Sequence, residues 1–254
     1  MALLDAYERK ARLTPGLLAF APVAFAVTTL GLKKFPAIAI AVGVLSAAGG
    51  AYALSTLVGH LGRRAQVGLW SRWGGPPTAR FLRLREAAPN PVQRGAWRRA
   101  IEAVTGVTLL SASAEADDPI LADNAISVAV DQARRLGQDT RHPLVTTENI
   151  QYGFERNLYG FRWVGRAISL ACTLALILIL LLTRTAAPND QAFAVGALAA
   201  GAAIDCLFLL AWVFIPSANR AKAASERYAH QLLQAVVNES RQAVGSGGAV
   251  TSPP

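Results

Sequence analysis

The chain has 254 residues, 53% of them hydrophobic and 16% charged, with a formal net charge of +9. An ordinary soluble domain carries about 25% charged residues, so a uniformly water-exposed globular chain is excluded and apolar stretches must account for the deficit. Two cysteines and three histidines, scattered along the chain, exclude a disulfide framework and the usual zinc-finger spacings.

Residues 1–12 form a basic N-terminal segment carrying Arg9, Lys10 and Arg12, and residues 13–32 that follow hold no charge. A helix crosses the hydrocarbon core with about 20 apolar residues, so 13–32 predicts a first span. A cleaved signal peptide is the competing reading. Its apolar core would be too long, and a second apolar stretch, 35–62, follows the tight turn Lys33-Lys34-Phe35-Pro36 in place of a mature soluble domain. Residues 13–62 are therefore read as a transmembrane hairpin.

Residues 63–164 are read as a helical, basic cytoplasmic domain. A short helix over 78–88 is bounded by Gly74-Gly75-Pro76-Pro77 and Pro89-Asn90-Pro91. Residues 92–105 follow with Trp97, Ile101 and Val104 on one stripe and Arg94, Arg98 and Glu102 on another. Asp118-Pro119 supplies a cap and a proline at the first helical position, opening a helix to about Leu136 whose expected apolar face is Leu121, Ala125 and Val128. A last helix starts near Thr147 and is expected to run almost continuously into the third span.

Residues 165–217 form a second hairpin: 167–183 and 191–219 are the third and fourth spans, the fourth interrupted by Asp205. Residues 218–244 predict a C-terminal helix with Tyr228, Leu232, Ala235 and Val236 on a thin apolar stripe, packed on the cytoplasmic domain or on another subunit. The Gly/Ser/Pro-rich end, 245–254, is expected to be disordered. The fold class is thus an all-α membrane protein, four spans in two hairpins with a helical domain inserted between spans 2 and 3. Lys and Arg gather near one side of the spans (Arg9, Lys10, Arg12, Arg63, Arg64, Arg162, Arg166, Arg220 among them), against Lys33, Lys34 and Arg184 on the other. By the positive-inside rule both termini and residues 63–164 are placed in the cytoplasm of a bacterial inner membrane.

Three constellations bear on function. Between residues 63 and 99 nine arginines face one acid, Glu86, and no lysine. Arg80, Arg83, Arg85, Arg94, Arg98 and Arg99 are the candidates for binding phosphate groups or nucleic acid, since guanidinium suits bidentate phosphate recognition and Trp70, Trp73, Phe81 and Trp97 are interleaved for stacking. Anionic lipid headgroups and the acidic residues between 115 and 139 are alternative partners for the same cations. Asp205 is the second: a carboxylate at membrane depth faces a bundle interior, a cavity or a partner. Gly196, Ala200 and Ala197, Gly201 give small residues at spacing four around it. It either glues helices or contributes to a ring in a cation pore. The third search, for catalysis, finds no His-Glu-x-x-His, no phosphate loop and no nucleophile elbow. No enzyme activity, metal or cofactor is expected.

Leu69-Trp70-Ser71-Arg72-Trp73-Gly74-Gly75-Pro76-Pro77-Thr78 with Leu82-Arg83-Leu84-Arg85, and Glu148-Asn149-Ile150-Gln151-Tyr152-Gly153-Phe154-Glu155-Arg156-Asn157, resemble a pattern in small membrane effectors of bacterial phage-defence operons, of the Hailong channel-effector type. The resemblance implies an oligomeric channel held inactive by a DNA oligomer from a partner nucleotidyltransferase and opened when that inhibitor is lost. It assigns no individual residue. Together these readings predict a homo-oligomer, a tetramer among the options, with membrane lipids and an oligonucleotide as ligands. The alternative is a non-catalytic anchor or scaffold whose basic face sits on anionic lipid and recruits a protein partner.

Overall fold

The computed structural model describes residues 5–31, 49–87, 90–137, 141–186 and 192–247. All regular structure among them is helical: α1 (Thr14–Leu30, preceded by the wider π-type turn Glu8–Leu13), α2 (Gly50–Trp73), α3 (Pro77–Leu82), α4 (Pro91–Thr105), α5 (Ala112–Asp117), α6 (Pro119–Gly137), α7 (Pro143–Ala186), α8 (Ala192–Phe214) and α9 (Ala218–Gly247). The chain divides into two compact units, Met1–Val67 with Gly153–Ala221 and Gly68–Tyr152 with Lys222–Pro254.

In the first unit three helical stretches are long and apolar enough to cross a membrane: Glu8–Leu30, Pro143–Arg184 and Ala194–Phe214, the second beginning in the other unit. Many of their large apolar side chains point outward, although Phe161, Leu176 and Trp212 are buried. Leu174, Leu178, Leu181 and Leu182 of α7 and Leu207 and Phe214 of α8 are exposed, whereas Ala19, Ala26, Ala202, Ser169 and Thr173 are buried. That inversion fits hydrocarbon as the surrounding solvent, where tight association comes from small residues and not from burying leucine. The predicted second span, 35–62, lies over 35–48 outside the described residues, as do the 32–34 part of its turn and most of the outer turn 187–190. Its described part belongs to α2, which runs on through Arg63, Arg64 and Arg72 and stops at Gly74 and Gly75, both at positive φ, before two prolines.

Glycines set the approach of α2 to α7. A Cβ on Gly160 would stand 2.7 Å from the Leu61 carbonyl oxygen and 2.8 Å from the Gly62 nitrogen, and one on Gly62 would collide with Asn157. The fully buried Asn157 donates from Nδ2 to the Ala11 carbonyl (2.7 Å) and accepts from Arg156, whose Nη1 reaches Gln66 Oε1 (2.7 Å). Arg156 and Asn157 thereby tie the N-terminal turn, α2 and α7 together.

The second unit has its own core: Leu82, Trp97, Ile101, Leu109, Ile126, Val130 and Ala133, closed by Leu233, Val236 and Val237 of α9. The C-terminal helix therefore packs on this unit, and Leu232 and Ala235 add a small cluster with Val145. Helix α4 buries the predicted Trp97 and Ile101, is capped by Asn90 accepting from the Gln93 N–H (3.0 Å), and ends at Gly106 with φ 70°. Asp118 caps α6 as expected, accepting from the Leu121 N–H at 2.9 Å.

Four expectations are corrected. The face of α6 that packs is Ala122, Ile126, Ala129, Val130 and Ala133, while Leu121 and Val128 are 54% and 51% exposed. Both stripes have helical spacing, and the alanine-rich one fits closer to its neighbours. The helix predicted over 78–88 ends at Leu82, because Arg83 turns extended (ψ 133°). Helix α7 begins at Pro143, four residues before Thr147. Helix α5, not predicted, is opened by Ser111 accepting from the Ala114 N–H. The tail predicted to be disordered starts within α9, and its residues 248–254 lie outside the described residues.

Candidate functional site

The predicted phosphate-binding arginines cluster in the second unit, and most are turned on their own chain. Glu115, 1% exposed, is the hub. Its carboxylate accepts from the Leu84 N–H (3.0 Å to each oxygen), the Arg85 N–H (3.2 Å) and Arg85 Nη1 (3.1 Å), with Arg98 Nη1 at 3.9 Å. These bonds explain why α3 stops: the N–H groups that would prolong it are taken by a buried carboxylate. Arg83 donates to Asp123 (2.8 and 3.0 Å), Glu86 (2.8 Å) and the Gly74 carbonyl. Arg85 Nη2 also reaches both Asp123 oxygens at 2.7 Å, and Arg80 Nε donates to Glu86 at 2.9 Å.

Arg94 and Arg98 bond carbonyls. Arg94 Nη1 holds those of Arg83 (2.8 Å) and Glu86 (2.6 Å), and Arg98 holds those of Leu82 (2.6 Å) and Leu110. Of the six candidates, Arg99 is exposed and has no bonded partner among the described residues. Arg63, Arg64 and Arg72, from the same arginine run, are also exposed. The interleaved Trp97 is buried, stacked on Phe81 at 5.7 Å and edge-on to His230 at 5.5 Å, so it supports the core and offers no face to a base.

Burial works against the charge on Asp123 and Glu86. Hydrogen bonds from Arg85 and Arg83 to the first, and from Arg83 and Arg80 to the second, outweigh it and hold both carboxyls below their ordinary values of 3.8 and 4.5. Carboxyls lowered on folding stabilise the protein above their unfolded values, and that contribution is lost as pH falls through the folded ones. The thermal midpoint in detergent is accordingly expected to fall between about pH 5 and about pH 3, and Arg85→Gln to flatten that fall. An equal pH dependence in the variant would sink this account of the network.

Asp205 lies in the first unit, on the α8 face that also carries Leu198, Gly201, Ala202 and the buried Trp212. It is 0% exposed, and among the described residues neither carboxylate oxygen has a hydrogen-bond partner. Ser169 and Thr173 of α7 are buried and donate within their own helix, to the carbonyls of Gly165 and Ser169 at 2.8 Å each. Gly201 is a close-approach position, since a Cβ there would stand 2.6 Å from Thr29 Oγ1 of α1. Gly196 is not, because a Cβ there meets nothing within 4 Å. Asp205 thus faces inward within its own chain.

Sequence reasoning missed Glu115 as a hub and the Arg156–Asn157 knot. The only signal for the first was an acidic run opposite an arginine-only one. Among the described residues no group of three or more His, Cys, Asp or Glu side chains is placed to hold a metal ion. No known protein family matches the chain, and no curated protein or solved structure does.

Proposed function

We propose that the protein is a homo-oligomeric, four-span channel effector of the bacterial inner membrane, with both termini and residues 63–164 in the cytoplasm. Its ion path is gated from the arginine-rich domain by a phosphate-rich ligand such as an oligonucleotide, in anti-phage defence beside a nucleotidyltransferase. The observation that supports an ion path is Asp205. Placing a carboxylate at membrane depth costs about 2.5–3.5 kcal/mol on insertion scales, and this one recovers none of that cost through a hydrogen bond among the described residues. A group retained at such cost marks an ion or proton pathway more often than a packing contact. Its enclosure within one chain fits a closed state.

Liposomes containing the protein are expected to pass monovalent cations, and Asp205→Asn to change that flux about tenfold or more, with an unchanged elution profile. Equal flux in the variant would remove Asp205 from the path. Ligand binding is tested separately: excess 260 nm absorbance of purified protein, and oligonucleotide affinity that falls steeply between about 50 and 200 mM salt. Arg99 and Arg72, exposed, are the side chains through which that affinity would act.

The exposed Arg63, Arg64 and Arg72, on the helix that continues from the predicted second span, favour a second reading, a scaffold anchored on anionic lipid. Vesicle association graded by anionic lipid content, without conductance or oligonucleotide affinity, distinguishes it.

A further inference from the structure

At one end of the membrane helices of the first unit a cleft of about 290 Å³ opens among Leu18 of α1, Phe154 and Leu158 of α7, and Phe208, Trp212 and Ile215 at the end of α8, with Arg220 at its rim. The walls are almost wholly apolar. Leu18 and Ile215 are partly exposed, so the cleft is open to whatever surrounds the helices.

Its depth in the bilayer is marked by the side chains around it. The apolar run of α8 ends at Phe214, and Arg166 donates to the carbonyls of Trp212 (3.0 Å) and Val213 (3.1 Å) there. Arg166 also lies over the Trp163 ring at 4.7 Å and Arg162 over the Tyr159 ring at 3.7 Å. Tryptophan, tyrosine and arginine collected at one end of a span sit at headgroup level. The cleft therefore has its cationic rim among headgroups and its apolar walls among acyl chains.

Arg220 is half-exposed, and its Nε and Nη2 donate to the buried Glu155 at 3.1 and 2.7 Å. That bidentate pair fixes the guanidinium plane, and among the described residues Nη1 has no bonded partner. With Arg166 held on the carbonyls of Trp212 and Val213, this end of the cleft sets Arg220 and Arg166 against the single carboxylate Glu155.

We propose that this cleft is a binding site for one anionic phospholipid of the surrounding leaflet, an acyl chain lying along Leu18, Phe208 and Trp212 and the phosphate accepting from Arg220 Nη1. The inference depends on the apolar helices being membrane spans and not on the channel reading. Within a bilayer, displacing one acyl chain by another gains little, so selectivity comes from the headgroup, where charge-assisted hydrogen bonds are the strong ones.

The test is native mass spectrometry of the full chain released from bilayers of equal phosphatidylglycerol and phosphatidylcholine, with oleate added in a parallel arm. One phosphatidylglycerol is expected to be retained per chain, about tenfold over phosphatidylcholine, whose phosphate can accept the same bond but whose choline cation is repelled by the arginines beside it. Arg220→Lys keeps a cation for Glu155 but removes the fork, and is expected to cut the preference several-fold. Leu18→Trp fills the cleft from an exposed position and is expected to abolish retention while leaving the thermal midpoint unchanged. Equal retention of both lipids, retention indifferent to both variants, or oleate in place of phosphatidylglycerol would overturn the proposal. So would a Lys222→Gln variant that lowers the preference as much as Arg220→Lys, since diffuse charge would then suffice.

Discussion

Glu115→Ala is expected to destabilise the second unit by about 3–5 kcal/mol, the cost of breaking a buried ion pair by removing one partner. The carboxylate is 1% exposed and serves two backbone N–H groups, Arg85 and, at longer range, Arg98. Its loss leaves the buried Arg98 guanidinium with less compensation and the Leu84 and Arg85 N–H groups without their acceptor, each at about 1–3 kcal/mol if no water replaces it. Arg85→Ala is the comparison. That side chain is partly exposed and leaves the carboxylate its backbone donors, so about 1 kcal/mol is expected. Thermal unfolding of the full chain in detergent reads both. Equal, small shifts would mean that the network is a solvated surface feature, and would reopen the six arginines as a ligand face.

The second large effect belongs to Gly160. A side chain there meets the Leu61 carbonyl and the Gly62 backbone, which cannot rotate away as a side-chain tip can. Gly160→Leu is expected to cost about 3 kcal/mol, the upper end for overpacking, and to broaden or abolish the monodisperse peak in size-exclusion chromatography. Gly196→Leu provides the contrast. With nothing within 4 Å of its Cβ position, it is expected to be neutral or to gain up to about 1 kcal/mol of helix propensity. If the two variants behave alike, the close approach of α2 and α7 is wrong.

Recognition of a phosphate ligand becomes more specific in consequence. Arginine-only usage between residues 63 and 99 is a compositional signal. It cannot distinguish a guanidinium that meets a ligand from one that meets Glu115, Asp123 or a carbonyl 8 to 16 residues away. Arg99 and Arg98 are neighbours in sequence, yet one is exposed and the other buried against Leu82 and Leu110. Only the rotation of α4 on the core separates them. Mutagenesis aimed at ligand binding belongs on Arg99, Arg72, Arg64 and Arg63, because changing Arg83 or Arg98 would confuse lost binding with lost folding.

Much of the architecture was legible because it rests on local physics. Apolar runs free of charge, Asn90 and Asp118 as caps, prolines at first helical positions and Gly74-Gly75 as a stop act within one turn of chain. They predicted an all-helical chain, where most helices begin, and four apolar stretches, three of which are described as helices long and apolar enough to cross a membrane. Tertiary structure decided the rest. Which of two helical stripes of α6 is buried, whether α9 closes the second unit's core, where α3 ends, and whether Asp205 looks outward or into its own chain depend on partners distant in sequence. Spacing along a helix says which side chains share a face. It does not say what that face meets, and for charged groups the partner decides whether they bind a ligand, hold the fold or line a path.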